Sequence, residues 1–398
     1  MKATEARLLE FLKKSPQFII PIYQRTYSWT ERECRQLWDD IMRTGLNDNI
    51  SAHFIGSIVY IEKGLYHVTS QPPLFVIDGQ QRLTTVTLIL EALALRLGNS
   101  EPVDGFSAKK LRSYYLLNPL GDGERGFKLL LTRTDKDSLL ALVQQKPWPV
   151  EHSIRLRENF EFFAGRVRAL GKDLTALCKG LAKLVIVDIA LNRDQDNPQL
   201  IFESMNSTGR ALSQADLIRN FILMGLESEH QTRLYADCWR PMEVAFGQEA
   251  YNTYFDSFIR YFLIFKTDTI PKISEVYEAF KAYARRPEIA AAGVDALVAD
   301  IQTHAEYYCA MALDNEPDKE LRSAFKDLRE LKVDVAYPLL LELYQDYKTG
   351  LLYKADFLQA VRLIESYVFR RSVCAIPTNS LDKTFATFGR GLKKNRYL

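Results

Sequence analysis

The run Ile77-Asp78-Gly79-Gln80-Gln81-Arg82 holds the chain's densest set of groups able to do chemistry. Asp78 can hold a metal ion or orient a water molecule. Gly79 tolerates positive φ, so Asp78-Gly79 reads as a tight turn. Arg82 offers a fixed positive fork suited to phosphate, and Thr84 and Thr85 add hydroxyls just after it. The glycine spacing and the lysine of a Walker A loop are not there. The residues alone leave two readings open: a phosphate-binding turn, or a glycine turn whose polar residues cap a helix.

Three other stretches carry polar groups in telling places. Tyr23-Gln24-Arg25 sits inside the otherwise apolar and aromatic run Phe18 to Trp29. Aromatics beside an arginine suit stacking on a base and pairing with a phosphate; core anchoring is the competing reading, and the favoured one for Tyr27 and Trp29. Gln24 and Arg25 need polar partners in such surroundings. His53, at the mouth of an apolar run, is either a site residue or a structural one. Asn206-Ser207-Thr208-Gly209 is a polar, glycine-bearing turn ahead of a second helix start, which Ser213 and Asp216 mark as a capping pair. Such a turn can hold the other side of a nucleotide or be a plain corner.

The elements around these residues follow from spacing. Leu74 to Ile77 has the length of a buried strand, and Leu83, Val86, Ile89, Leu93 and Leu97 recur with helical period. Strand, turn and helix in that order put Gly79, Gln80 and Gln81 beside the free N–H groups of a helix N-terminus, where an anion is favoured. Upstream, residues 4–14 read as a short amphipathic helix, and Phe18 to Ile20 as an extended run ending at Pro21. Thr30-Glu31-Arg32-Glu33 is a capping box opening a helix through Cys34, Leu37, Trp38 and Ile41. His53 to Ile61 reads as a strand, with Gly56 marking the close approach of a backbone or ligand. Residues 99–126 are loop-rich, and Lys109, Lys110 and Arg112 read as a nucleic-acid contact or, the favoured reading, a solvated helix face. Residues 151–180 are helical, and Leu184 to Leu191 returns to the sheet as a buried strand.

From about residue 226 the pattern is helical throughout, with Tyr251, Phe255, Phe258 and Phe262 spaced as packing residues. The expected fold is α+β: a small mixed-sheet domain over 1–225, with a helical insertion at about 99–180, followed by a large all-helical domain over 226–398.

The chain has 398 residues, enough for two or three domains. Its net charge of +2 means that any nucleic-acid surface must be a local patch. The five cysteines are scattered with no C-x-x-C pair, which argues against a zinc site or disulfide framework and fits a reducing cytosol. No signal-peptide core and no charge-free run of about 18 apolar residues occurs, so a soluble, cytoplasmic protein with no membrane partner is expected.

Four stretches together, "IPIYQRTYSW", "HFIGSIV", "FVIDGQQRLTTVTLI" and "IFESMNSTGRALSQADLIRNFIL", resemble the N-terminal half of GmrSD-type proteins, bacterial type IV, modification-dependent restriction factors to which SspE of phosphorothioate-sensing defence systems is also similar. The resemblance runs on to "FRRSVCAIPTNSLDKTF". It implies a ParB/sulfiredoxin-like N-terminal fold that binds and hydrolyses a nucleoside triphosphate, GTP first among the candidates, with Mg²⁺. The family's Asp-Gly-Gln-Gln-Arg motif falls on Asp78 to Arg82, its Tyr-Gln-Arg element on Tyr23, Gln24 and Arg25, and its Asn-x-x-Gly element on Asn206 and Gly209. The implied partner is double-stranded DNA carrying a modification. Such proteins usually end in an HNH nuclease domain. Its histidine-based signature is missing here, since no histidine follows residue 350, so the expectation is a nuclease on a separate chain or segment, or none. A second copy as partner is left open.

On this reading the catalytic set is Asp78, Gln81 and Arg82, with Asp78 also toward the metal. The nucleotide set is Tyr23, Gln24, Arg25, His53, Gly79, Gln80, Thr84, Thr85, Asn206, Thr208 and Gly209. Two rival readings stand beside it: a DNA-binding module with an idle or purely regulatory nucleotide pocket, and a nuclease working through the N-terminal fold itself.

Overall fold

The computed structural model describes residues 1–62, 72–192, 196, 198–206, 213–377, 381–386 and 388. Contacts divide the chain into two compact units, residues 1–209 and 210–398.

In the first unit six strands of the described residues form one mixed sheet: β1 (Lys2–Arg7), β2 (Phe18–Ile19), β3 (His53–Glu62), β4 (Leu74–Asp78), β5 (Leu129–Leu130) and β6 (Leu184–Leu191), in the order β1-β6-β3-β4-β2-β5. β6 runs antiparallel to β1 and parallel to β3. β4 is antiparallel to β3, and β2 lies parallel between β4 and β5. The helices are α1 (Leu8–Lys14), α2 (Glu31–Leu46), α3 (Gln80–Leu97), α4 (Ala108–Leu111), α5 (Arg133–Val143), α6 (Ile154–Ala169), α7 (Thr175–Ala182) and α8 (Pro198–Asn206). α3 is apolar nearly all round, as a helix threading a core must be: Val86, Leu88, Ile89, Leu90 and Leu93 have no exposed surface. It shares one hydrophobic core with Phe11, Ile41, Val76, Phe163 and Leu177 from the elements around it.

Two local expectations are corrected. Residues 4–7 belong to β1, not to a helix; the helix starts at Leu8. β1 is an edge strand, exposed along most of its length, so no face of it is apolar and no alternation reveals it. Arg112 is not on a solvated face. Its Nη1 donates to both carboxylate oxygens of the fully buried Glu91, at 2.6 and 2.8 Å. Burial pushes the Glu91 carboxyl above its usual range, and Arg112 opposes that shift. Lys110 does stay at the surface, paired with Glu101 and Asp104.

The second unit is helical among its described residues: α9 (Gln214–Leu223), α10 (Ser228–Leu234), α11 (Arg240–Phe246), α12 (Gln248–Thr267), α13 (Val276–Ala284), α14 (Pro287–Ala312), α15 (Lys319–Glu330), α16 (Tyr337–Lys348) and α17 (Lys354–Val373). The aromatics pack as their spacing implied; the Phe246 ring centroid lies 5.2 Å from that of Phe255 and 5.7 Å from that of Tyr308. The division at 209/210 precedes the expected 225, because α9 packs on α12 and α13. Asp256 of α12 accepts from Gln214 N at 3.0 Å and Ala215 N at 2.7 Å, the orphan donors of the α9 start. Among the described residues no helix is long and apolar enough to cross a membrane.

Candidate functional site

The sheet delivers Asp78 at the end of β4, and the chain reverses at once into α3. Gly79 makes the reversal with φ 99° and ψ 1° as the residue capping α3. A Cβ there would lie 3.0 Å from the Ser57 carbonyl oxygen and 3.2 Å from Ile58 Cα. Both the backbone angle and the close approach to β3 therefore require glycine. One turn later Arg82 folds back over β3: its Nη1 donates to the Ser57 carbonyl at 2.8 Å and lies 3.5 Å from Asp78 Oδ2. Room for the guanidinium comes from a β-bulge between Phe54 and Ser57, where β3 slips against β6. Gly56 in that bulge has φ +106°, and a Cβ on it would sit 2.8 Å from Arg82 Nε and Cζ. The close approach expected at Gly56 is thus made by a side chain of the neighbouring helix. Asp78 and Arg82 are each 26% exposed, so the pair is reachable from solvent.

Residues 20–29 carry no helix or strand and lie against this turn. Gln24, buried, donates to the Ile77 carbonyl at 2.9 Å. Gln80 donates to the Arg25 carbonyl at 2.5 Å. The Gln81 amide oxygen accepts from Ser28 N and Trp29 N at 2.9 and 3.2 Å. Thr85 Oγ1 meets the Tyr27 hydroxyl at 2.7 Å and donates to the Gln81 carbonyl. Four of the candidate residues therefore brace the loop, Gln24 against β4 and Gln80, Gln81 and Thr85 against α3. Thr84 is fully buried, and its hydroxyl has no hydrogen-bond partner among the described residues. Tyr23 is buried, which pushes its phenol well above the usual range, and Arg25 is half-buried. At the turn the Asp78–Arg82 pair stays partly exposed, while Gly79 and Gln80 at the start of α3 are buried.

His53 is not brought to this point. It begins β3, four residues before Ser57, about 13 Å away at strand spacing. Its Nε2 lies 3.5 Å from Asp40 of α2 and its backbone N donates to the Lys183 carbonyl. α8 packs on β4 and ends at Asn206. The Asn206 side chain, Thr208 and Gly209 lie outside the described residues. Ser213 does cap α9, accepting from Asp216 N.

Sequence reasoning missed Ser57, Asp135 and Asn159. Ser57 contributes its carbonyl, which no residue type announces. Asp135 Oδ2 accepts from Tyr27 N at 2.6 Å, and Asn159 Nδ2 donates to the Tyr27 hydroxyl and the Trp29 carbonyl at 3.1 and 2.8 Å. Both are far along the chain from the loop they hold, and only an isolated polar residue on an apolar helix face hinted at them.

Among the described residues no three His, Cys, Asp or Glu side chains gather as a metal centre. Asp78, a single carboxylate, suits Mg²⁺ only in company with phosphate oxygens and waters. A cavity of about 630 Å³ opens elsewhere, between β1, α1 and the far end of β4, with Glu10, Lys14, Tyr60 and Asp188 in its lining. It shares no residue with the turn. We place the site at the turn because it brings an acid, a guanidinium and a helix N-terminus together, whereas size alone supplies no chemistry.

Comparison with known proteins agrees with the four quoted stretches. Residues 8–223 match a family model described as the N-terminal domain of GmrSD restriction endonuclease. A search of curated proteins finds no match. The matched region spans more than half of the chain and contains the sheet, the turn and the loop that braces it. The chain belongs to the GmrSD restriction endonuclease family.

Proposed function

We propose that the first unit binds and hydrolyses a nucleoside triphosphate, GTP or a related one, and couples this to the sensing of modified DNA within a restriction and defence system. Family membership gives the setting, DNA restriction. The single observation that carries the nucleotide reading is the Asp78–Arg82 pair, partly exposed at a helix N-terminus and set in place by two glycines. Backbone N–H groups at the start of α3 bind phosphate oxygens. Arg82 turns from Asp78 to the transferring phosphoryl group and neutralises charge that grows there. Asp78, released, orients the attacking water. Asp78 is the carboxylate that would hold Mg²⁺, which would supply charge neutralisation of the phosphates there. The loop of Tyr23, Gln24 and Arg25 backs the pocket, with Arg25 the most exposed of the three and Tyr23 and Gln24 buried behind it. His53, four strand residues from Ser57, is left out of this proposed set.

One observation favours a second reading. Gln80, Gln81 and Thr85 are already engaged, which leaves few side chains for a nucleotide; a DNA-binding module whose turn holds a DNA phosphate needs fewer. Comparing Arg82→Ala with wild type separates the two. The nucleotide reading expects loss of NTP hydrolysis with DNA binding retained. Loss of DNA binding, with no hydrolysis in wild type, supports the binding module and removes the nucleotide reading.

A further inference from the structure

An irregular loop keeps one conformation only if other groups fix its backbone. Residues 20–29 are held on one side by α3, as described. The other side is held from the helical insertion. Arg133 Nη2 donates to the Ile22 carbonyl at 3.3 Å, Asp135 accepts from Tyr27 N, and Asn159 donates to Tyr27 and Trp29. Asp135 and Asn159 are 3% and 2% exposed. Burying a carboxylate is costly, and burial raises the Asp135 carboxyl above its usual range while Ser153 and the Tyr27 N–H oppose the shift. Both side chains direct their polar atoms at loop backbone, where an apolar residue would have packed as well.

We propose that Asp135 and Asn159 are positioning residues, which set the loop of residues 20–29 and through it the placing of Tyr23, Gln24 and Arg25 beside the Asp78–Arg82 turn, without touching nucleotide or DNA. This rests on the nucleotide reading above for its catalytic consequence. The helical insertion is then the frame behind the site's loop wall, and its two polar residues govern substrate binding from behind the loop.

The test uses the full chain with Asn159→Asp, Asp135→Asn and Asp135→Ala, read by NTP kinetics, thermal stability and peptide-resolved hydrogen exchange. Asn159→Asp keeps the volume and turns a donor into an acceptor facing the Trp29 carbonyl. It raises KM for the hydrolysed nucleotide about tenfold or more, the size of a lost hydrogen bond of this kind, with kcat far less affected. Exchange speeds up in peptides spanning residues 20–29 and stays unchanged in α5 and α6. Asp135→Asn keeps an oxygen for Tyr27 N–H and stays near wild type, while Asp135→Ala behaves as Asn159→Asp does. Should Asn159→Asp fail to fold, Asn159→Ala removes the donor without adding charge. Unchanged KM and unchanged exchange in folded variants overturn the proposal. Absence of hydrolysis in wild type overturns the nucleotide reading instead, and exchange alone then decides whether these residues hold the loop.

Discussion

Two glycines at the turn differ in what surrounds them, and the difference is testable. A methyl group at residue 79 meets backbone of β3, which has no room to move; at residue 56 it meets the far end of Arg82, which can swing away. Gly79→Ala should therefore cost about 1–3 kcal/mol of stability from its positive φ and more from the contact, seen as a lower urea midpoint. Gly56→Ala should carry a similar cost from its own positive φ without the backbone contact, and release Arg82 from Ser57, so that hydrolysis falls in a protein that still folds. Unchanged hydrolysis in a folded Gly56→Ala protein would show that Arg82 does not depend on that space. Residue types at this site were legible in the sequence: Asp78, Gly79 and Arg82 meet as the motif implies. The direction of polar side chains was not. Gln80 and Gln81 read as ligand groups from their neighbours, yet their amides pair with backbone of a loop 50 residues upstream. A buried amide needs partners, and composition does not say whether a ligand or the chain supplies them.

Loop and helix share a buried polar hub at Tyr27, whose hydroxyl meets Thr85 and Asn159 while its backbone N–H meets Asp135. Tyr27→Phe leaves Thr85 and Asn159 short of a partner, keeps the N–H for Asp135, and should cost about 1–3 kcal/mol. The capping box of α2, with Glu33 accepting from Thr30 N at 2.8 Å, lies just downstream. Thr30→Ala should cost about 1 kcal/mol and leave nucleotide affinity alone, whereas Tyr27→Phe should weaken both, as denaturant titration and KM measured on the same samples would show. Among the elements, those with a buried face were readable: β3, β4, β6, α3 and the helices after residue 226 all carry the period their burial demands. β1 and the two-residue β5 were not, being too exposed or too short to show a period, while β2 falls in the run read as extended up to Pro21. Their places are set by partners distant in sequence.

Across both units the cysteines report on folding. Burial pushes the thiols of Cys34 to about 11 and of Cys178 and Cys309 to about 12, and Cys374 alone of the five is exposed. A raised pKa means less thiolate at a given pH; at pH 8 a thiol titrating near 11 is about one part in a thousand ionised. Cys374 should label first in the native protein, half-buried Cys238 more slowly, and the other three only on unfolding. Rapid native labelling of Cys34 or Cys178 would mean that the core around α2 and α7 opens readily. The central claim concerns what the first unit does, and one measurement addresses it most directly: phosphate release from GTP, ATP, CTP and UTP with Mg²⁺, with and without unmodified and modified DNA, for wild type and Asp78→Ala. The account predicts hydrolysis of at least one nucleotide, lost in Asp78→Ala and altered by modified DNA. Equal phosphate release by wild type and a folded Asp78→Ala protein, or none from any nucleotide under any condition, would contradict it.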